Sequence, residues 1–299
     1  MDHALLAEID ATRADLHRYC ARMLGSVTDG EDLVQEALLR AYDAIDTLRG
    51  PSRLRPWLFR IAHNLALDRL KSYEHRNIER LEAREPALDA SAPEAESPDA
   101  RFDREQNLHA ALSLFLELAP TQRSALILKD VLDNSLEEIA ALLSISVPAV
   151  QSALHRGRTR LQEIRHEGGI PRAPIRTPSA DLERYARAFN ARDWDAIVRM
   201  LAEDVELDVV SGFRRQGRTL VTSYFSNYAK LGDFVVVPGW LDQREALAYF
   251  DGACVNGFAR APRYFIEVAF AHGEIVGIRD FRHVPYIAHD ARFEPLVAE

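Results

Sequence analysis

The stretch SLEEIAALLSISVPAVQSALHRGRTRL, residues 135–161, decides how the chain is read. Ser135 followed three positions on by Glu138 makes a capping box, the reciprocal side-chain and backbone arrangement that starts a helix. Ala140 is small where two short helices would cross, and Ser144, Ile145 and Ser146 supply the turn. In the second helix Val147, Val150, Leu154 and Leu161 share one face, which leaves Ala149, Ser152, His155, Arg156, Thr159 and Arg160 outward. This is a helix-turn-helix, and early outward positions of its second helix are those that reach base edges in a major groove. Read alone, His155 is an ordinary surface histidine and Arg160 a solvated charge. The two-helix context singles out Ser152, His155 and Arg156.

Upstream, charge is segregated. Asp29 to Asp46 holds six acids and one base, Arg40. Leu33, Val34, Ala37, Leu38, Ala41 and Ile45 form one helical stripe there, and Asp32, Glu36 and Asp43 fall opposite it with Leu39 among them. Such a face is either solvated surface or a docking surface. From Arg49 to Arg76 the balance inverts, with seven bases against Asp68 and Glu74. A loop with Gly50, Pro51 and Pro56 leads into a helix bearing Trp57, Phe59, Arg60, His63, Asn64, Arg69 and Lys71. Cations interleaved with aromatics and amides suit a single strand whose phosphates need neutralising and whose unstacked bases need a pocket. Trp57 and Ile61, one turn apart, equally suit burial between helices.

The chain has 299 residues, 47% apolar and 28% charged, which implies more than one folded domain and excludes disorder as the main state. A net charge of -9 argues against a protein that grips nucleic acid by bulk electrostatics. Cys20 and Cys254 lie far apart without CxxC partners and read as buried packing residues rather than a disulfide or zinc site. No apolar run approaches the roughly 18 residues of a membrane span, and the start MDHALLAEID carries acids where a signal peptide carries bases. A cytoplasmic protein without membrane contact is expected.

Residues 77–106 are rich in Ala, Pro, Ser and acids and read as a solvated acidic linker; residues 168–179 combine a Gly pair with three prolines and read as a second linker. Three modules remain: 1–76, 107–167 and 180–299. The first two read as helical. The third starts with two helices, Leu182 to Ala191 and Trp194 to Leu201. Period-two strands follow at Val205-Leu207-Val209, Tyr264-Ile266-Val268-Phe270 and Ile275-Gly277-Arg279-Phe281, with a helix from Leu220 to Leu231. That pattern is α+β.

The helical half resembles the ECF subfamily of bacterial sigma factors. Asp32-Leu33-Val34-Gln35-Glu36-Ala37, then Trp57-Leu58-Phe59-Arg60-Ile61-Ala62-His63-Asn64 with Asp68, is similar to region two of that family. Leu118-Ala119-Pro120 with Arg123, Glu138-Ile139-Ala140 and Arg156-Gly157-Arg158 are similar to region four, so the resemblance covers most of residues 10–165. It implies core RNA polymerase and promoter DNA as partners. Asp32, Gln35, Glu36 and Leu39 would dock on polymerase. Arg49, Arg53, Arg55, Trp57, Arg60, Asn64, Arg69 and Lys71 would hold the melted minus-ten strand, and Ser152, His155, Arg156 and Arg160 would read the minus-thirty-five element. Two departures stand out: Pro148 in the first turn of the recognition helix, where it is tolerated, and Gly157 between the two arginines, where the family has alanine and glycine costs about 1 kcal/mol.

YARAFNARDWDAIVRMLAEDVELDV, residues 185–209, resembles the SnoaL-like branch of the NTF2-like cone. Some relatives of that fold are isomerases or cyclases that use an inward carboxylate as base. Candidate pocket groups are Asp208, Tyr224, Trp240, Glu267, Asp280 and His283, lining a site for a small-molecule ligand. No metal-ligand spacing, nucleotide loop or nucleophile elbow accompanies them, so no catalytic residue, cofactor or metal is assigned. The expectation is a multidomain chain: two all-α sigma domains, a region-two helical bundle and a region-four helix-turn-helix, plus a C-terminal α+β NTF2-like cone that modulates them. Two other readings stay open. One is a one-component helix-turn-helix regulator with a ligand-binding C-terminal domain, which leaves the Trp57-to-Asp68 block unexplained. The other is a SnoaL-like isomerase or cyclase with a vestigial sigma half.

Overall fold

The computed structural model describes residues 3–45, 54–78, 112–167, 179–242, 244–252 and 261–295. They form two compact units, Met1–Arg172 and Ala173–Glu299. The linker expected at 77–106 and the loop carrying Arg49 and Arg53 lie almost wholly outside the described residues, as does Cys254.

The first unit opens with α1 (His3–Leu24), α2 (Val27–Asp43) and α3 (Leu54–Ile78). Gly25 takes a φ of 76°, open to glycine at no steric cost, and lets the chain reverse before Ser26 caps the amide of Asp29. Leu33, Val34, Ala37 and Ala41 bury the expected stripe of α2. Where α2 crosses α1, a Cβ on Gly30 would lie 2.6 Å from the Ala21 nitrogen, so only glycine permits the approach. α4 (Leu112–Leu116) and α5 (Pro120–Leu126) follow, then a π-helical turn at Ile127–Val131, α6 (Leu136–Leu143) and α7 (Val147–His166). The two helical modules share one core: Leu16, Tyr19, Met23, Leu58, Phe59 and Ala62 from the first join Phe115, Leu126, Ile127, Ile139 and Leu154 from the second.

Polar groups cross the same seam. Arg123 of α5 is buried and donates to the main-chain carbonyls of Met23, Leu116 and Leu118. Nδ1 of His63 lies 2.7 Å from the Tyr19 hydroxyl and 3.3 Å from that of Ser124, and the two hydroxyls are 3.1 Å apart. His63 and Phe59, borne on the same helix as the residues expected beside the melted strand, are therefore interior, and Cys20 is buried as expected.

In the second unit α8 (Ala180–Asn190) and α9 (Trp194–Met200) precede β1 (Leu201–Val209), β2 (Phe213–Gln216) and α10 (Arg218–Tyr228). β3 (Phe234–Leu241), β4 (Arg244–Asp251), β5 (Tyr264–Ala271), β6 (Glu274–Asp280), the short α11 (Ile287–Asp290) and β7 (Phe293–Pro295) complete it. The sheet runs β2-β1-β6-β5-β4-β3-β7, with β1 and β6 parallel and every other pair antiparallel. Alternation places Val205, Leu207, Val209, Tyr264, Ile266 and Val268 in the core with Phe189, Tyr224 and Phe225. The expected alternation Ile275-Gly277-Arg279 fails. A register shift opposite Ala269–Phe270 makes Ile275 and Ile278 the core residues and turns Gly277 and Arg279 outward.

Burial lowers the pKa of His63 from 6.5 to about 4. Among the described residues, Nδ1 of the ring faces the Tyr19 hydroxyl of α1 and the Ser124 hydroxyl of α5, with Arg123 and Cys20 close to Tyr19. Because the folded pKa lies below the unfolded one, the unfolded chain takes up the proton first. Stability is therefore full above pH 6.5 and is lost as pH falls towards 4, on the order of 3 kcal/mol for this group. Denaturant unfolding from pH 7 to 4 should show that loss in the parent and lack it in His63→Gln; superimposable pH profiles would contradict the assignment.

Candidate functional site

On α2 the acidic face is a real surface. Asp32, Gln35 and Glu36 are half-buried, while Leu39 is 68% and Tyr42 60% exposed. Two large apolar side chains three residues apart thus stand exposed on an acidic, solvent-facing ridge. Sequence reading named Leu39 and missed Tyr42, although the same helical projection places it just off the buried stripe. Glu36 accepts from Arg40 at 2.8 Å and from Arg69 at 3.0 Å, and Arg69 also reaches the Asp29 carbonyl. Arg69, expected beside the melted strand, is thus tied to α2.

On α3, Arg60, Asn64 and Lys71 are exposed. Positions i, i+4 and i+11 fall within about 40° of one another around a helix, so the three make a single stripe. Trp57 is half-buried and packs on the shared core, as its spacing with Ile61 allowed. Arg55 pairs with Asp15 at 2.8 Å and lies over the Phe59 ring, and Arg60 reaches the Ala141 carbonyl at 3.4 Å. Arg49 and Arg53 are outside the described residues.

α6 and α7 meet at 99°, the angle of a helix-turn-helix. The Ser135–Glu138 capping box is formed in both directions, and Ser144 closes α6 at a φ of 58°. Hydrogen bonding to Ser135 holds the Glu138 carboxyl below its usual range. Ser146 caps α7 ahead of Pro148. Outward on α7 stand His155 and Arg156, exposed, and Ser152 and Arg160, half-buried, with Arg160 paired to Glu163 at 3.2 Å.

The six groups expected to line one pocket in the second unit do not meet. Tyr224 and Asp280 lie inside: the buried Asp280 carboxylate accepts from the Tyr224 hydroxyl at 2.6 Å, the Tyr228 hydroxyl at 2.9 Å, and both the main chain and the guanidinium of Arg282. Burial first, and the Asp280 charge with it, drives the Tyr224 hydroxyl pKa well above its ordinary value. The Asp280 carboxylate thus takes four hydrogen bonds inside the unit. Asp208 and Glu267 lie instead on the outward sheet face, in a charge ladder running across five strands. Its distances are Arg214–Asp208 3.2 Å, Asp208–Arg279 3.5 Å, Arg279–Glu267 3.4 Å and Glu267–Arg244 3.8 Å. The ladder borders a groove of about 770 Å³ over Ala269 and Gly277. Trp240 is half-buried on β3, and His283 is exposed after β6. Among the described residues no three His, Cys, Asp or Glu side chains converge as metal ligands.

Comparison with known families matches residues 9–76 to Sigma-70 region 2, residues 108–161 to Sigma-70 region 4 and residues 182–278 to the SnoaL-like domain. The sigma factor SigW of Bacillus subtilis is 31% identical over 160 residues, which cover 52% of this chain and 85% of SigW. The chain belongs to the ECF RNA polymerase sigma factors. SigG of Mycobacterium tuberculosis is 33% identical over 238 residues, 72% of this chain but 64% of SigG. The crystal structure of SigJ from Mycobacterium tuberculosis aligns over 92% of this chain and 95% of that one at 22% identity, with a TM-score of 0.36.

In this sigma factor the two arginines of Arg156-Gly157-Arg158 do different work. Arg156 is exposed at the surface of α7. Arg158 turns inward and clasps Asp130 of the π-helical turn through Nε at 3.3 Å and Nη2 at 2.7 Å, and the Asp130 carboxylate is 1% exposed. Gly157 sits where a Cβ would lie 2.6 Å from Leu126 Cδ1, so the glycine that weakens the helix lets α7 close on α5. Arg158→Met strands a buried charge and should cost about 3–5 kcal/mol. Arg156→Met, at an exposed position, should stay within about 0.5 kcal/mol. Denaturant unfolding of the two variants checks this; equal losses would contradict the division of roles.

Proposed function

We propose that this protein binds core RNA polymerase and directs promoter recognition and melting. The observation that carries the reading is the ridge of α2, where exposed Leu39 and Tyr42 stand among Asp32, Glu36 and Asp43 on the same chain as a formed helix-turn-helix. Acids and exposed apolar groups face polymerase, and the stripe of Arg60, Asn64 and Lys71 faces the melted strand. Ser152, His155, Arg156 and Arg160 face the minus-thirty-five element. This division lets a chain of net charge -9 act on DNA, because the enzyme supplies much of the charge that holds the strands. The SnoaL-like unit modulates this activity without catalysis of its own, since Asp280, its fully enclosed carboxylate, is spent on Tyr224, Tyr228 and Arg282, and Glu267 is paired in the charge ladder. The site of action is the cytoplasm, where polymerase and promoter meet.

In vitro transcription with core polymerase on the gene's own upstream region tests the reading. The full chain should support a specific transcript. Leu39→Lys with Tyr42→Lys should raise the half-saturating concentration roughly tenfold or more at unchanged melting temperature. Absence of both polymerase association and transcript would overturn it.

A further inference from the structure

The outward face of the second unit's sheet carries two adjacent rows of side chains. One row is Arg214, Asp208, Arg279 and Glu267, register partners from β2 to β5, and it forms the charge ladder. The next row, two residues along each strand, is Gln216, Glu206, Gly277 and Ala269. On β4 the register that sets Ala246 against Glu267 brings Arg244 level with Ala269, so Arg244 ends this second row. The middle of the row has almost no side chain, and the groove of about 770 Å³ runs over it between Glu206 and Arg244. That volume is of the size that holds a small ligand.

Gly277 occupies a place where the fold itself does not call for glycine. Its φ is not positive, and a Cβ built on it would meet, among the described residues, only the Ala269 Cβ at 3.6 Å, an ordinary contact. Glycine weakens a strand interior, and with neither strain nor crowding to explain it, the close approach of an outside group does. The two ends of the trough carry opposite charge. Glu206 is exposed and makes no ion pair among the described residues, with the exposed Gln216 beside it on β2. Arg244 is exposed at the other end, 3.8 Å from Glu267, and its guanidinium has five N–H donors, more than one carboxylate takes up.

We propose that this trough binds a short linear peptide by its two free ends, the ammonium on Glu206 and Gln216 and the carboxylate on Arg244. Length selects the ligand. From β1 to β4 there are three strand spacings, about 14 Å, and an extended chain advances about 3.3–3.6 Å per residue, so about four residues fit. A free amino acid is too short to reach both ends. The ladder forms one wall and presents in turn the acceptor Asp208, the donor Arg279 and the acceptor Glu267, a match for the N–H and C=O groups of a peptide main chain. The floor of Ala269 and Gly277 takes backbone rather than large side chains, so the site reads length and free ends more than sequence. It lies within the second unit, and the inference goes beyond the sigma-factor reading without resting on it.

Calorimetric titration of the full chain with tetra-alanine tests this, beside N-acetyl-tetra-alanine, tetra-alanine amide and free alanine. Tetra-alanine should bind one to one with a submillimolar Kd. Capping either end should weaken binding about tenfold or more, because each cap removes a charge-assisted hydrogen bond, and alanine should not bind. Glu206→Gln and Arg244→Gln, both at exposed positions, should each weaken the free peptide by about the same factor with the melting temperature little changed. Glu206→Gln should also cease to distinguish the acetylated from the free peptide, which a merely structural effect would not produce. No binding at millimolar tetra-alanine overturns the proposal, as does binding that survives both substitutions or that capping leaves unchanged. A dimer of the full chain that Glu206→Lys dissolves, with no peptide bound, would assign the trough to a second copy and overturn it equally.

Discussion

The helix-turn-helix builds only a marginal core by itself, and the first unit is organised around that deficit. α4, α5 and α6 have five, seven and eight residues, well below the length at which an isolated helix is stable in water. The 56 described residues from 112 to 167 are too few to build a substantial core alone. The deficit is met by docking on α1 and α3, where Phe115, Leu126, Ile127 and Ile139 complete a core begun by Leu16, Tyr19 and Leu58. Arg123 makes the docking specific: its buried guanidinium takes up carbonyls from α1, from α4 and from the turn between α4 and α5, which would otherwise lose water without replacement.

Ion pairs tie the functional faces to this frame. Glu36, expected on the polymerase, and Arg69, expected on DNA, neutralise each other across α2 and α3, which fixes the acidic ridge relative to the basic stripe. Asp130 and Arg158 do the same for the recognition helix. Each pair joins neighbouring elements and is at least partly screened from water, so it sets geometry more than it adds stability.

Elements and their order were legible in the sequence because each rests on local chemistry. The Ser135–Glu138 box, the stripe of α2 and the inward alternation of Val205, Leu207 and Val209 need no distant partner. What escaped depends on distant contact. Nothing local to His63 says that Tyr19 and Ser124 bury it, and nothing in Arg156-Gly157-Arg158 says which arginine meets Asp130. The face of β6 was misread because a register shift, invisible in an alternating string, moves Arg279 out and Ile278 in. The same shift turns Asp280 to the interior, away from Asp208 and Glu267, which flank Arg279 on the outer face.

The account turns on whether the helix-turn-helix depends on α1 and α3 for its core. Amide hydrogen exchange compared between the parent and Tyr19→Ala, a core substitution on α1, tests this in the full chain. Protection should fall in α5–α7 together with α1–α3. Unchanged protection across Leu136–His166 beside a loosened α1 would contradict the account.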